Sequence, residues 1–309
     1  MSSGAPTIPG ADPYYVDDVT GIILYFGDAR KLLPKLDAAS IDMVFTDPPY
    51  GHNNNDGDDL IRRRERALGE KPKVGWRGRP TVAATSQNPA RPIANDGKEA
   101  DDLVKWFFSE SARLLKKPGC CCCCCCGGGG GPDPQFARWS LWLDKVMRFK
   151  QMVIFDKGPM GMGWHYRRSY ETILVAEQPG KSRWYGGNEV ENIIRPGAYG
   201  IRKIIPSASQ HPTEKPVELA RHFIRLHSEP GDIILDPFAG HGTTLAAAKM
   251  EGRRAIGIEL SEEFCLAAKK KLMATRLGFV QPGIIRGKTK PTGFYDEAAM
   301  KAMRHKETE

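Results

Sequence analysis

Ile233-Ile234-Leu235-Asp236-Pro237-Phe238-Ala239-Gly240-His241-Gly242-Thr243-Thr244 is the stretch that decides how this chain folds. An apolar run ends in a carboxylate and a proline, and then passes two glycines. A helical pattern follows from about Thr244 to Met250, and after it a second apolar run, Ala255 to Ile258. Strand, glycine turn, helix and strand in this order form a parallel crossover unit. The glycines let a ligand approach the backbone beside a helix N-terminus, where unpaired N–H groups point outward. Glu259, about 20 residues past the loop at the end of the second strand, is placed to accept hydrogen bonds from ribose hydroxyls. The third glycine of a dinucleotide fingerprint would fall at Leu245, which argues against a bound pyrophosphate and for a nucleoside. Phe238 is then available to pack on the base. Taken alone, the loop also fits a tight strand-to-helix turn that holds no ligand.

The same alternation extends outward. Ile22 to Phe26 reads as a strand, followed by Gly27-Asp28 and a short helix ending near Leu36, and Ile41 to Thr46 reads as a second strand. A helical pattern from Asp101 to Lys116 precedes the run Cys120 to Cys126. Further on come a helix near Gln135 to Phe149, strands Met152 to Phe155 and Tyr170 to Ala176, and a helix from about Pro216 to His227. The cysteine run takes the place of a buried central strand, because free Cys behaves as a small apolar residue. Ser261 is a good N-cap for the last helix, with Glu262 and Glu263 at its positive end and Lys269 to Lys271 toward the other. Strands and helices that alternate in this way imply a mostly parallel sheet with helices on both faces. The catalytic body is expected over residues 12–277, with loose tails at 1–11 and 278–309.

The second strand runs into Asp47-Pro48-Pro49-Tyr50, where two prolines forbid further strand or helix. The alternative reading is a rigid polar turn, but the residue types suit a particular chemistry. An exocyclic amino nitrogen on a base is a poor nucleophile because its lone pair is delocalised into the ring. A carboxylate (Asp47) and a carbonyl (Pro48) that accept its two hydrogens together would draw it toward a tetrahedral shape and aim the lone pair for direct in-line transfer. Tyr50 would stack on an extruded base.

Asp47-Pro48-Pro49-Tyr50 together with the Asp236 to Thr244 loop resembles the DNA amino-methyltransferases. A third match is His211-Pro212-Thr213-Glu214-Lys215-Pro216, and Gly27-Asp28 also fits. With the tyrosine motif near the N-terminus and the glycine loop near the C-terminus, the order resembles the permuted β class. The resemblance spans most of residues 20 to 275. It implies a Rossmann-like sheet with permuted motif order, S-adenosylmethionine as cofactor and double-stranded DNA as partner. In residue terms it implies that Asp236, Phe238, Gly240, Gly242 and Thr243 line the cofactor pocket and that Glu259 holds the ribose. Asp28 would lie near the cofactor's adenine, Thr213 and Lys215 beside its methionine part, and Asp47, Pro48, Pro49 and Tyr50 at the target base. Adenine N6 is the expected target, since cytosine N4 enzymes more often carry Ser in place of Asp. The cytosine N4 activity stays as the alternative, as does a catalytically silent DNA-binding protein of the same fold. A homodimer and a cognate restriction endonuclease stay open as partners.

The remaining residues narrow the choice. A formal charge of +8 over 309 residues fits a polyanionic partner without proving one. The Arg-rich excursion within 51–98 is expected to contact phosphates, and 178–210, carrying Arg183, Trp184, Tyr185, Arg195, Tyr199, Arg202 and Lys203, is a candidate target-recognition insertion. Ring-carbon methylation needs a nucleophilic Cys, usually in a Pro-Cys pair, and here Gly119 separates Pro118 from Cys120. Neighbouring cysteines on a strand alternate between faces and the histidines are scattered, so no metal is expected. No apolar run approaches the roughly 20 residues of a membrane span and no secretion signal opens the chain, which predicts a cytoplasmic protein.

Overall fold

The computed structural model describes residues 7–50, 99–125, 135–158, 169–195 and 215–277. In chain order the strands are β1 (Tyr15–Asp17), β2 (Ile22–Phe26), β3 (Ile41–Thr46), β4 (Leu115–Cys125), β5 (Arg148–Asp156), β6 (Tyr170–Glu177), β7 (Ile193–Ile194), β8 (Ile233–Asp236) and β9 (Arg254–Glu259). The helices are α1 (Ala29–Leu32), α2 (Ala100–Leu114), α3 (Gln135–Val146), α4 (Val217–His227), α5 (Thr243–Met250) and α6 (Glu262–Ala274). The strands form one sheet in the order β1-β2-β9-β8-β3-β4-β6-β5-β7. β2, β9, β8, β3 and β4 run parallel, while β6 is antiparallel to both β4 and β5. The expected mostly parallel α/β sheet is what forms.

Both faces of the sheet are covered, and the period of two along each strand decides which residue meets which layer. Ile23, Tyr25, Val44, Leu235 and Ile256 pack under α1, α2 and α3 through Leu32, Val104, Phe107, Phe108, Trp139 and Leu143. Leu24, Met43, Phe45 and Ile234 face the opposite way, toward Leu219 and Phe223 of α4, Leu245 to Ala248 of α5, and Cys265 and Ala268 of α6. The cysteine strand obeys the same rule. Cys121 and Cys123 join the first layer, and Cys120, Cys122 and Cys124 the second. A strand buried on both faces needs small apolar side chains with no alternation of polarity, and a run of free cysteines meets that need.

Ser261 caps α6 as expected, its hydroxyl accepting from the Phe264 N–H. Several boundaries differ from the sequence reading. The helix before the cysteines stops at Leu114, and β4 takes over at Leu115, where Asp42 on β3 holds Lys116 at 2.8 Å. α3 ends at Val146 and β5 starts at Arg148, because Glu177 on β6 pairs with Arg148 at 3.2 Å and extends the ladder. β1 has no counterpart in the sequence reading, and β7 forms inside the irregular stretch 178–210.

Ile8, within the expected N-terminal tail, is 2% exposed, and its N–H donates to the Tyr25 hydroxyl at 2.9 Å. Tyr25→Phe keeps the ring and removes that buried acceptor. The expected cost is about 1–3 kcal/mol, read as a lower urea midpoint with an unchanged slope.

Candidate active site

The sheet order places the site. From β8 the chain crosses through α5 to β9 on one side, whereas from β3 it leads by way of α2 to β4 on the other. The order therefore reverses between the neighbouring parallel strands β3 and β8, and the usual ligand position in such sheets is the crevice outside the carboxyl ends of the strands at that point. β3 delivers Asp47 to that crevice and β8 delivers Asp236. A hydrogen bond joins the two strands, the Thr46 hydroxyl donating to Asp236 Oδ1 at 2.6 Å. Asp236 also accepts from the Phe238 N–H at 3.2 Å. Burial outweighs these bonds and raises its carboxyl to about 6, with the nearby Asp47 charge adding to the effect.

The two glycines of the loop answer to different constraints. Gly242, the residue before α5, has φ of 73°, and a Cβ there would lie 2.9 Å from Ala268 Cβ. It is glycine so that α5 and α6 can pack. Gly240 has φ of 50°, but a Cβ there would meet nothing within 4 Å, so its surroundings are open. Its N–H donates to Glu259 Oε2 at 2.7 Å, and the Ser261 N–H donates to Oε1 at 2.8 Å. Burial raises the Glu259 carboxyl above the usual range despite these bonds. Phe238 packs edge-on against Phe107 at 5.4 Å. Thr243 accepts from Lys271 Nζ at 3.1 Å. Asp28, at the end of β2, accepts from the Arg30 N–H as the N-cap of α1 and pairs with its guanidinium at 3.0 Å.

Asp47, Pro48, Pro49 and Tyr50 leave β3 as irregular chain with Pro48 buried. Asp47 Oδ2 accepts from Lys215 Nζ at 2.7 Å, while its Oδ1 is buried without a hydrogen-bond partner among the described residues. Lys215 Nζ also reaches the Tyr50 hydroxyl at 3.4 Å and Glu171 Oε2 at 3.2 Å. Glu171 in turn pairs with Lys157 at 2.9 Å. Burial pushes the Asp47 carboxyl up, with the Lys215 charge working against the shift and Glu171 adding to it. Burial acts on Glu171 as well, yet its two lysines prevail and hold it below the usual range. The Tyr50 ring is stacked on Trp139 at 6.1 Å and 29°.

Of the residues the sequence singled out, Asp47, Tyr50 and Lys215 are thus brought into contact, and Asp236 adjoins them through Thr46. Lys215, carried over as a cofactor contact, is here a partner of Asp47. Thr213 and the Arg-rich stretch 51–98 lie outside the described residues. Arg183, a candidate DNA contact, is held instead by Asp42 at 3.0 Å and by Asp232. Those residues sit at the amino ends of β3 and β8, opposite Asp47. Glu171, Lys157 and Trp139 were missed. Glu171 had a readable signal, a lone acid inside the apolar strand Tyr170 to Ala176. The sequence reading expected no ligand set among the cysteines and histidines, and the structure brings three of them together. Cysteines two apart share a face, and Cys120, Cys122 and His227 bring one ligand atom each to within 4.8 Å of one another.

A glycine loop on one strand and a carboxylate-proline turn on its neighbour at a topological switch point mark the ligand-binding end of a doubly wound α/β sheet. Comparison with known proteins gives the family. Residues 41–270 match the N6/N4 family model described as DNA methylase, and the chain belongs to that family. It is 44% identical over 283 residues to the protein YubD of Escherichia coli (strain K12), covering 88% of this chain and 97% of that protein. It is 25% identical over 295 residues to the DNA adenine methyltransferase YhdJ of the same organism, covering 85% and 86%. Among solved structures, the DNA modification methylase TTHA0409 of Thermus thermophilus, complexed with S-adenosyl-L-methionine, superposes with a TM-score of 0.54 at 24% identity, covering 86% of this chain and 99% of that one. The cytosine-N4-specific PvuII DNA methyltransferase superposes with a TM-score of 0.57 at 18% identity, covering 96% and 95%. Among the described residues no helix is long and apolar enough to cross a membrane.

The two glycines separate in a stability measurement. Gly242→Ala is expected to cost about 2–3 kcal/mol, combining a left-handed backbone with a steric clash, and Gly240→Ala only about 1 kcal/mol from the backbone alone. Equal losses in thermal unfolding would contradict this assignment of roles.

Proposed function

We propose that this DNA methyltransferase moves the methyl group of S-adenosylmethionine to the N6 amino group of an adenine flipped out of double-stranded DNA. The observation that carries the reading is the Asp47 carboxylate. One oxygen is tied down by Lys215 and the other is buried and unpartnered among the described residues, at the end of the strand beside the glycine loop. A buried acceptor without a donor is a cost unless a ligand supplies the hydrogen. The amino group of a base supplies it.

The loop side suits the cofactor. Open space in front of Gly240 leaves its backbone approachable, and the Glu259 carboxylate, which accepts from the backbone N–H groups of Gly240 and Ser261, keeps further lone-pair capacity for ribose hydroxyls. Phe238 and Thr243 flank the loop, and Asp28 stands at the end of the strand next to β9. When bound, S-adenosylmethionine supplies an electrophilic methyl group on a sulfonium. The protein's part is positional. Asp47 Oδ1 and the Pro48 carbonyl accept hydrogen bonds from the two amino hydrogens, Tyr50 stacks on the base, and Lys215 fixes the carboxylate and works against the rise in its pKa that burial causes. An adenine target is supported by the Asp at position 47 and by the likeness to YhdJ. Cytosine N4 is the second reading, supported by the fold shared with the PvuII enzyme.

Incubating the protein with unmethylated DNA of mixed sequence and S-adenosylmethionine, followed by nucleoside mass spectrometry, tests the proposal. N6-methyladenine is the expected product, and N4-methylcytosine would move the activity to the second reading. Asp47→Ala should retain cofactor-dependent thermal stabilisation and lose about 10²–10³-fold in turnover; unimpaired turnover would overturn the mechanism. The ionised Asp47 carboxylate is a stronger acceptor than the protonated acid, whose proton would sit on one of its two oxygens, so turnover falls as pH drops through its pKa. Lys215→Met removes the charge that holds that pKa down, so the acid limb of the rate profile should move to higher pH, and Lys215→Arg should restore it.

A further inference from the structure

The cysteine strand carries a feature that methyl transfer does not use. Cys120 and Cys122 lie two residues apart on β4, so both point to the face covered by α4. Their sulfurs are 3.6 Å apart. His227, the last residue of α4, brings an imidazole nitrogen to the same point, and all three ligand atoms lie within 4.8 Å of one another. Each residue is buried, at 0%, 0% and 4% exposure; the His227 imidazole is hydrogen-bonded to Cys120, and its Nδ1 has no hydrogen-bond partner among the described residues. Trp184 closes over the imidazole edge-on at 5.4 Å, and Phe223 lies parallel to it.

We infer that Cys120, Cys122 and His227 form a binding site for a zinc-type divalent cation that clips the cysteine strand to the carboxyl end of α4. Zn–S bonds of about 2.3 Å at a tetrahedral angle place two sulfurs about 3.8 Å apart, close to the separation seen here. Two thiolates and an imidazole are soft and borderline ligands, the set that selects zinc over magnesium or calcium. Charge decides among the soft cations. Two thiolates and a neutral imidazole around a divalent ion sum to zero, which is the least costly state for a site sealed from water. A monovalent copper ion would leave a net negative charge, facing Glu177, which stands opposite Cys120 in the β4–β6 ladder. Three protein ligands leave one tetrahedral position for a further donor. The site sits at the opposite end of α4 from Lys215, the residue that holds Asp47, so a cation there would anchor the helix whose amino-terminal flank serves the crevice.

Cobalt(II) provides the probe. The full-length protein, reduced and stripped with a chelator, is titrated with Co²⁺ and then with Zn²⁺. One equivalent of cobalt should give the intense visible bands of tetrahedral coordination with a thiolate charge-transfer band, and zinc should abolish both. Cys122→Ser and His227→Gln should lose the signal, and Cys121→Ser and Cys123→Ser, which alter the other face, should keep it. X-ray absorption of the zinc-loaded native protein should show two sulfurs and at least one nitrogen, a readout that holds even if a variant fails to fold. The proposal is overturned if the native protein gives no tetrahedral cobalt spectrum, if the signal survives in both Cys122→Ser and His227→Gln, or if only copper(I) binds.

Discussion

The hydrogen bond from Thr46 to Asp236 joins residues 190 positions apart in sequence, and everything the site does depends on it. Thr46 ends β3 and is followed at once by Asp47; Asp236 ends β8 and opens the glycine loop. The bond therefore fixes the base-handling turn relative to the cofactor loop at the point where the strand order reverses. Its setting makes it demanding. A carboxylate buried there is costly, and burial raises its pKa to about 6. Neighbouring strands with carboxyl ends in register would still be neighbours without the bond, but the turn and the loop would lose their common fixed point.

Around that point the charges are arranged as a chain of alternating sign, Asp47 to Lys215 to Glu171 to Lys157. An isolated buried pair is a weak source of stability, because desolvation consumes most of the Coulomb gain. The chain instead serves orientation. Lys215, 9% exposed at its side chain, is held from two sides by carboxylates and from a third by the Tyr50 hydroxyl. It cannot swing away without leaving two acids uncompensated. One oxygen of Asp47 is immobilised by this arrangement and the other is left for a ligand, a division of labour that a solvent-exposed aspartate would not maintain.

Much of this was legible in the sequence. The strand-loop-helix at 233–250 and the turn at 47–50 are local signals, set by proline and glycine punctuation and by apolar runs, and each formed where it was read. What stayed hidden depended on contacts between distant segments. Glu171 matters only because β6 brings it beside Lys215. The contact of Lys215 with Asp47 was hidden because a motif names residue types and carries no record of which neighbour each will meet. Arg183 read as a nucleic-acid contact on charge and aromatic company, but Asp42 and Asp232, remote in sequence, converge on it. Boundaries failed for the same reason, since the ion pairs of Lys116 and Arg148 extend β4 and β5 beyond what local propensity suggests.

The cysteine strand sets the limit of sequence reading most clearly. Register is usually specified by alternating polarity, because a slip of one residue moves every side chain to the wrong face. A homopolymeric strand loses that information: slipping it by one or two positions puts cysteine where cysteine was. Its register must come from its ends and its neighbours. On β4 the amino end is fixed by the pairing of Lys116 with Asp42, whose other bonds reach the Ile233 N–H on β8 and the Arg183 guanidinium. The antiparallel neighbour adds a second constraint, because Glu177 must stand beside Arg148 and Lys150 while Glu171 stands beside Lys157 and Lys215. Asp42 is therefore more than a surface-facing acid that opens a strand. It aligns β3, β4 and β8 at their amino ends, as Thr46 and Asp236 align β3 and β8 at their carboxyl ends, and between these two ties a strand with no pattern of its own is held in one register.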